Sequence, residues 1–209
     1  MSRVRVKVCG VTRPQDARAA EAAGADAIGV IFAPGSRRRV TPAEAADVTA
    51  AVGPFVRRVG VFVDADDATL HAAIDAAHLD AVQLHGDATD ALCARLRRRV
   101  TVIRAVRFDP GDTPDAWAGR PVDAVLLDGP KPGSGTAFDW STAAAWRGAP
   151  RLIVAGGLHP GNVADAVGAM APYAVDVASG VEASPGVKDP AKLAAFVAAV
   201  RDAEPGSAP

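Results

Sequence analysis

Residues 4–32 read V-R-V-K-V-C-G-V-T-R-P-Q-D-A-R-A-A-E-A-A-G-A-D-A-I-G-V-I-F, and they divide into three parts. Val4–Cys9 and Ala27–Phe32 are short and rich in Val and Ile, the composition of strands. Between them Pro14–Ala23 has helical spacing, with Thr12 as its expected N-cap and Gly24 as the C′ residue that stops it. A strand, a helix and a second strand in so short a stretch form the repeating unit of a parallel sheet.

The same unit recurs along the chain. Further strands are expected at Arg57–Val63, Ala81–Leu84, Thr101–Val106, Ala124–Leu127, Leu152–Ala155 and Ala174–Val177. Across the set the apolar positions run together, as in strands covered on both faces. Helix starts are legible too. Thr41-Pro42-Ala43-Glu44 reads as N-cap, N1 proline and capping-box acid, and Asp189-Pro190 opens the last helix in the same way. The weakest unit is Asp109–Arg120, whose prolines and glycines leave room for a short helix only. Eight strands alternating with helices, with no linker in mid-chain, predict an α/β protein with a single (β/α)8 barrel over residues 1–203. Residues 204–209, small, polar and proline-bearing, are expected to form a flexible tail.

Composition narrows the function. At 209 residues and 49% hydrophobic, the chain has enough apolar side chains for a sizeable core. A net charge of −1 gives no electrostatic reason for a nucleic-acid partner, and no run approaches the roughly 18 apolar residues of a membrane span. Arg97-Arg98-Arg99 follows a helical pattern and reads as a solvated helix end. The two cysteines, Cys9 and Cys93, make no disulfide framework, and the scattered histidines make no metal cluster, so a cytoplasmic protein without a metal is expected. His71 and His78 read as exposed or capping residues, and Cys93 as packing.

In a barrel of this kind the chemistry lies at the C-terminal ends of the strands. There stand, in order, Cys9, Ser36-Arg37-Arg38-Arg39, Asp64, Gln83 with His85-Gly86, Arg107, Asp128, Gly156-Gly157 and Ser179-Gly180. A thiol and a carboxyl at two strand ends suit a base and an acid. Cys9 competes with a reading as a small buried hydrophobe, although Lys7 on the same side of its strand would favour a thiolate; Lys7 could instead point into the barrel or pair with a carboxylate. Asp128 follows Val125-Leu126-Leu127, and burial there would raise its pKa. Against this stands a loop-capping aspartate. His85 is open between proton transfer, hydrogen bonding and packing. One of the three adjacent arginines could bind a carboxylate, and chemistry alone does not choose among them. Glycines after both of the last two strands would let backbone N–H groups cradle a phosphate.

These motifs together resemble the phosphoribosylanthranilate isomerase family of tryptophan biosynthesis. The matching stretches are K-V-C-G at 7–10, F-A-P-G-S-R-R-R-V at 32–40, V-G-V-F-V-D at 59–64, V-Q-L-H-G at 82–86 and L-L-D-G at 126–129. G-S-G-T-A-F-D-W at 133–140, A-G-G-L-H-P-G-N-V at 155–163, V-D-V-A-S-G-V-E at 175–182 and P-G-V-K-D at 185–189 complete the set. The resemblance implies that Cys9 is the general base and Asp128 the general acid of an Amadori rearrangement. It selects Arg38 for the anthranilate carboxylate, with Lys7, Gln83 and His85 as further substrate residues. It places the phosphate on Gly156, Gly157, Ser179 and Gly180, with Asn162 and Asp176 supporting those loops. No cofactor is implied, and the partner is a small phosphoribosyl substrate met by a monomer or homodimer.

The chain departs from the family twice. A second serine often stands where this chain has Ala178, and two glycines often stand where it has Pro132-Gly133, which should stiffen that loop. Two rival readings accompany the resemblance. One is the related histidine-pathway or dual-substrate isomerase, whose family uses aspartate where Cys9 stands and carries two phosphate-binding repeats. The other is a non-catalytic phosphoribosyl-ligand binder.

Overall fold

The computed structural model describes residues 3–109, 111–129 and 140–204. All eight apolar runs become strands of one closed parallel barrel, hydrogen-bonded in chain order with β8 returning to β1. They are β1 (Arg5–Cys9), β2 (Ala27–Ile31), β3 (Arg57–Val63), β4 (Ala81–His85), β5 (Thr101–Arg107), β6 (Ala124–Asp128), β7 (Leu152–Val154) and β8 (Ala174–Val177). Pro132-Gly133, most of the 133–140 motif and the tail beyond Glu204 lie outside the described residues.

Helices α1 (Pro14–Ala22), α2 (Pro42–Thr49), α3 (Asp67–Ala76), α4 (Asp90–Leu96), α5 (Val163–Met170) and α6 (Pro190–Asp202) cover the barrel. The capping box of α2 forms as read, and the Asp189 carboxylate accepts the Ala191 and Lys192 N–H groups at the start of α6. Thr12 does not cap α1. Arg13 holds the N-cap position without a side-chain bond, while the Thr12 hydroxyl donates to the Gly186 carbonyl at 2.7 Å. A tertiary partner has taken the hydroxyl from the local role.

Two connections depart from strict alternation. Among the described residues the chain makes a single 3-10 turn after β5, at Pro114–Trp117, and another before β7, at Trp140–Trp146, broken at Ala143. Trp146 is 1% exposed, and its indole N–H donates to the Asp112 carbonyl at 3.0 Å. One large side chain thus fills space that a helix would otherwise cover.

The main core lies between barrel and helices and holds the largest buried side chains, including Phe62, Leu70, Leu96 and Phe196. The barrel interior is a smaller cluster of Val59, Ala81, Ile103, Ala105, Ala124, Leu126, Ile153, Ala155 and Ala174. Five of these nine are alanine, and the buried polar groups Lys7, Gln83 and Asp176 stand on strands of the same barrel.

The N-terminal mouth repeats one device. Asp26, Asp80 and Asp123 immediately precede β2, β4 and β6. Their N–H groups donate to the carbonyls of Val6, Arg58 and Val102 at 2.8–2.9 Å. Their carboxylates accept the N–H groups of the same three residues, each at 2.9 Å. Tyr173 takes the equivalent place before β8, keeps the backbone bond to Leu152, and stacks its ring under the Arg5 guanidinium at 4.3 Å. The run Asp-Ala, Asp-Ala, Asp-Ala, Tyr-Ala is therefore a repeat carried by every second strand.

Candidate active site

At the C-terminal mouth a cavity of about 310 Å³ is lined by Cys9, Arg38, Gln83, His85, Asp128, Gly156, Gly157, Asp176 and Ser179. Residues of β1, β2, β3, β4, β6 and β8 contribute, with the loops after β2, β7 and β8. A larger hollow, about 530 Å³, opens at the opposite mouth, but its polar lining is Asp26, Asp123, Lys7, Thr101, Tyr173 and arginines. Its carboxylates, Asp26 and Asp123, are already paired with Arg3 and Arg97 and hold backbone N–H groups, so size is not the guide to chemistry.

Cys9 ends β1 and is 6% exposed. Burial pushes its thiol above the ordinary value, and the nearby Lys7 and Lys188 ammonium groups only partly oppose this. The expectation that Lys7 would bring the thiol down is thus corrected: desolvation wins. Lys7 itself is buried and pairs with Asp176 at 2.9 Å. Burial pulls the Lys7 pKa down, but Asp176 and Cys9 outweigh it and leave the ammonium firmly charged. Lys7 is not among the residues that line the cavity, and its charge acts on Cys9. Asp176 stands on β8, lines the same cavity and faces Lys7.

Asp128 ends β6, and its pKa is raised from 3.8 to about 6. Burial is the main cause, the Gly129 N–H at 2.8 Å opposes it, and Asp176 adds to it. The Gly156 backbone passes against this turn. A Cβ there would meet the Gly129 nitrogen at 2.6 Å and an Asp128 oxygen at 3.1 Å, and φ is +88°. Gly156 is therefore needed to seat the Asp128 loop, whatever ligand it also faces.

Gln83 and His85 project from alternate positions of β4 and meet, amide nitrogen to ring Nε2, at 2.9 Å. Burial, helped by the Lys7 charge, pushes the His85 pKa down to about 4, so the ring is neutral at pH 7. With the amide donating to Nε2, the ring proton is assigned to Nδ1. The Gln83 amide oxygen is buried and has no partner among the described residues. A ligand hydroxyl or amine in the cavity would supply one.

Among the three arginines, Arg37 and Arg39 are exposed and Arg38 turns inward to line the cavity. Its Nε and Nη2 each donate to Glu182 at 2.7 Å. One edge of the guanidinium is committed to a protein carboxylate, which leaves the other edge for a ligand. Asp64 and Arg107 fall outside the cavity. Asp64 instead accepts the Asp87 N–H at 2.7 Å and fixes the loop after β4.

Gly157 and Ser179 line the cavity beside Gly156. The Asn162 side chain donates to the Gly157 carbonyl at 3.0 Å and accepts the His159 N–H at 2.8 Å, tying the loop after β7. Gly180 packs against Leu158 and His159 of that loop. The loops after β7 and β8 thus touch.

Two polar residues at the site were missed from sequence, Glu182 and Lys188. They belong to a small antiparallel hairpin, β9 (Glu182–Ser184) and β10 (Val187–Lys188). Pro185-Gly186 is a turn signal between them, and Glu182 and Lys188 both fall within motifs shared with the family, at 175–182 and 185–189. Among the described residues no group of His, Cys, Asp and Glu could hold a metal ion.

A family model described as N-(5′-phosphoribosyl)anthranilate (PRA) isomerase matches residues 6–199. A curated N-(5′-phosphoribosyl)anthranilate isomerase of Pseudomonas fluorescens is 49% identical over 207 residues, covering 96% of this chain and all of that protein. The crystal structure of the Thermus thermophilus phosphoribosylanthranilate isomerase is 43% identical, with a TM-score of 0.88 over 96% of this chain and all of that one. A further structure holds such an isomerase with reduced 1-(o-carboxyphenylamino)-1-deoxyribulose 5-phosphate. It is 39% identical, with a TM-score of 0.85 over 95% of this chain and 99% of that one.

Proposed function

The chain belongs to the N-(5′-phosphoribosyl)anthranilate isomerase family, and from that premise we propose that Cys9 and Asp128 carry the isomerisation as base and acid. The reaction is the step of tryptophan biosynthesis that turns phosphoribosylanthranilate into 1-(2-carboxyphenylamino)-1-deoxyribulose 5-phosphate. The observation that carries the assignment is one cavity shared by Cys9, Asp128, the inward edge of Arg38 and the glycine loops after β7 and β8.

The substrate has a phosphate at one end and a carboxylate at the other. With the phosphate on Gly157 and Ser179 and the carboxylate on Arg38, the ribose lies between Cys9 and Asp128. Asp128, whose pKa of about 6 keeps a useful fraction protonated near neutrality, donates to the ring oxygen. The C1′–O bond breaks and the amine lone pair forms an iminium. The cationic C1′ acidifies C2′, and the Cys9 thiolate removes its proton. The resulting enolamine tautomerises to the ketone. The substrate's own nitrogen is the electron sink, so the scheme calls for no cofactor. Neutral His85 holds the Gln83 amide, and the free amide oxygen accepts a ribose hydroxyl. Both cysteines are free thiols, which suits a cytoplasmic setting.

Loss of phosphoribosylanthranilate fluorescence tests the reading directly. Cys9→Ser and Asp128→Asn should each lower kcat by about 10² or more. Near-normal turnover in Cys9→Ser would take the thiol out of the mechanism. Binding of substrate without turnover by the unaltered protein would favour the non-catalytic binder instead.

A further inference from the structure

The hairpin β9–β10 stands outside the barrel, and the acid–base scheme makes no use of it. Yet its Lys188 ammonium is wholly buried, with a side-chain exposure of 0%. It donates to the Cys9 carbonyl at 2.6 Å, the Ala178 carbonyl at 3.0 Å and Glu182 Oε1 at 3.0 Å. An ammonium has three protons, and all three are used. The same Glu182 carboxylate receives Arg38. One cation therefore touches the main chain of the base, the loop that ends at Ser179, and the partner of the inward-facing arginine.

We propose that Lys188 is a positioning residue of this active site, locking the Cys9 main chain to the Glu182–Arg38 pair so that base and carboxylate-binding group are held as one unit. The inference rests on the roles given above to Cys9 and Arg38.

The hairpin is already fastened without this ammonium. The Lys188 N–H donates to Asp16 at 3.0 Å, Thr12 donates to Gly186, Lys192 donates to the Glu182 carbonyl at 2.7 Å, and the Asp189 N–H donates to Val181 at 2.9 Å. What the ammonium adds is the link to β1 and the charge. Arg38 and Lys188 bring two positive charges against the one negative charge of Glu182, and both act on the Cys9 thiol, which the Lys7–Asp176 pair also faces. Gly10, next to Cys9, is part of the same fit. Its φ is +70°, and the Arg38 side chain runs where its Cβ would stand. The turn after the base and the arginine stem are thus packed on each other, and a slip of either moves both.

The test uses Lys188→Met in a Cys93→Ser background, so that iodoacetamide reports on Cys9 alone. kcat should fall about tenfold or more, KM should rise several-fold, and Cys9 alkylation at pH 8 should slow about tenfold with its pH profile displaced upward. A purely structural lysine would lower Tm while kcat, KM and the alkylation profile of the folded protein stayed put, and that result overturns the proposal. Should Lys188→Met not fold, Lys188→Gln, which keeps a donor but no charge, is held to the same outcomes. Cys9→Ser separates the two claims. If it turns over normally, the base assignment fails, while the alkylation profile still decides whether Lys188 governs the thiol.

Discussion

The two mouths of this barrel are built from the same eight strands and to opposite ends. At the N-terminal mouth the carboxylates of Asp26, Asp80 and Asp123 each accept a backbone N–H and face an arginine. At the C-terminal mouth Asp128 accepts one N–H and has no arginine partner among the described residues, and burial pushes it up to about 6. Cys9 is pushed up as well, and Gln83 keeps an unpartnered oxygen. The first end neutralises its carboxylates, while the second surrounds an acid, a thiol and an amide with ion pairs that leave those three groups unmatched among the described residues. The difference teaches where stability is made and where it is spent on reactivity.

The sharpest break in that comparison comes from Asp128→Asn. It should cost about 10² or more in kcat and yet stabilise the fold. The sign follows from the raised pKa: the folded protein holds the Asp128 proton more tightly than the unfolded chain. Nothing is lost below pH 3.8. As pH rises from there through about 6 the ionised, buried carboxyl costs up to about 3 kcal/mol. The Tm of Asp128→Asn should therefore exceed that of the parent by several degrees at pH 8 and by much less near pH 4. An equal gap at both pH values would mean that burial of the charge is not the cause.

The pH dependence of turnover sharpens the same point. The productive pair, thiolate with carboxylic acid, carries as many protons as the resting pair, thiol with carboxylate. Its share is therefore constant between the two pKa values. kcat/KM should rise to about pH 6, run level, and fall only above the raised value of Cys9. In Asp128→Asn the limb near 6 should vanish, and the residual rate should climb with pH as the thiol ionises. A limb that persists belongs to the substrate phosphate, whose second ionisation also lies near 6.

Arg38→Met is next in size. It should raise KM by about tenfold or more, while Arg37→Met and Arg39→Met, both on exposed side chains, change it less than twofold. Equal effects from all three would make the run a diffuse basic rim. At the other mouth the pattern should invert. Asp123→Ala strands the Val102 N–H and the Arg97 guanidinium, costing about 1–3 kcal/mol and some degrees of Tm. Its kcat/KM should stay within about twofold of the parent.

How legible each mouth was in the sequence follows from the range of the interactions. The strands were readable because Val and Ile runs between turn residues are local signals, and β3 and β8 fall on the expected bounds. The helix starts at Thr41 and Asp189 were readable for the same reason. Thr12 was misread because its partner, Gly186, lies across the chain. At the site, Cys9 and Asp128 stood out as single reactive groups at strand ends. The Lys7–Asp176 pair and the Arg38–Glu182–Lys188 link span most of the chain, and no local pattern announces them. The direction of the Cys9 shift turned on the balance of burial against charge, which spacing along a strand does not contain. The Asp-Ala repeat before the even strands was in plain view, but its meaning depends on the strand beside it.

The smallest effect belongs to Phe55, which stands at the N-terminal mouth with 95% of its surface exposed and lines the larger hollow there. A side chain with so little buried area has almost nothing to lose, so Phe55→Ser in a monomer should leave Tm within about a degree and kcat/KM within about twofold. Sedimentation and a melting curve at two protein concentrations check this. If the parent's Tm rises with concentration and that of Phe55→Ser does not, the ring is covered by a second copy of the chain. The N-terminal mouth would then be completed by association, and the contrast between the two ends would hold for the dimer and not for the single chain. Unchanged activity in either case keeps the chemistry at the mouth where Cys9 and Asp128 stand.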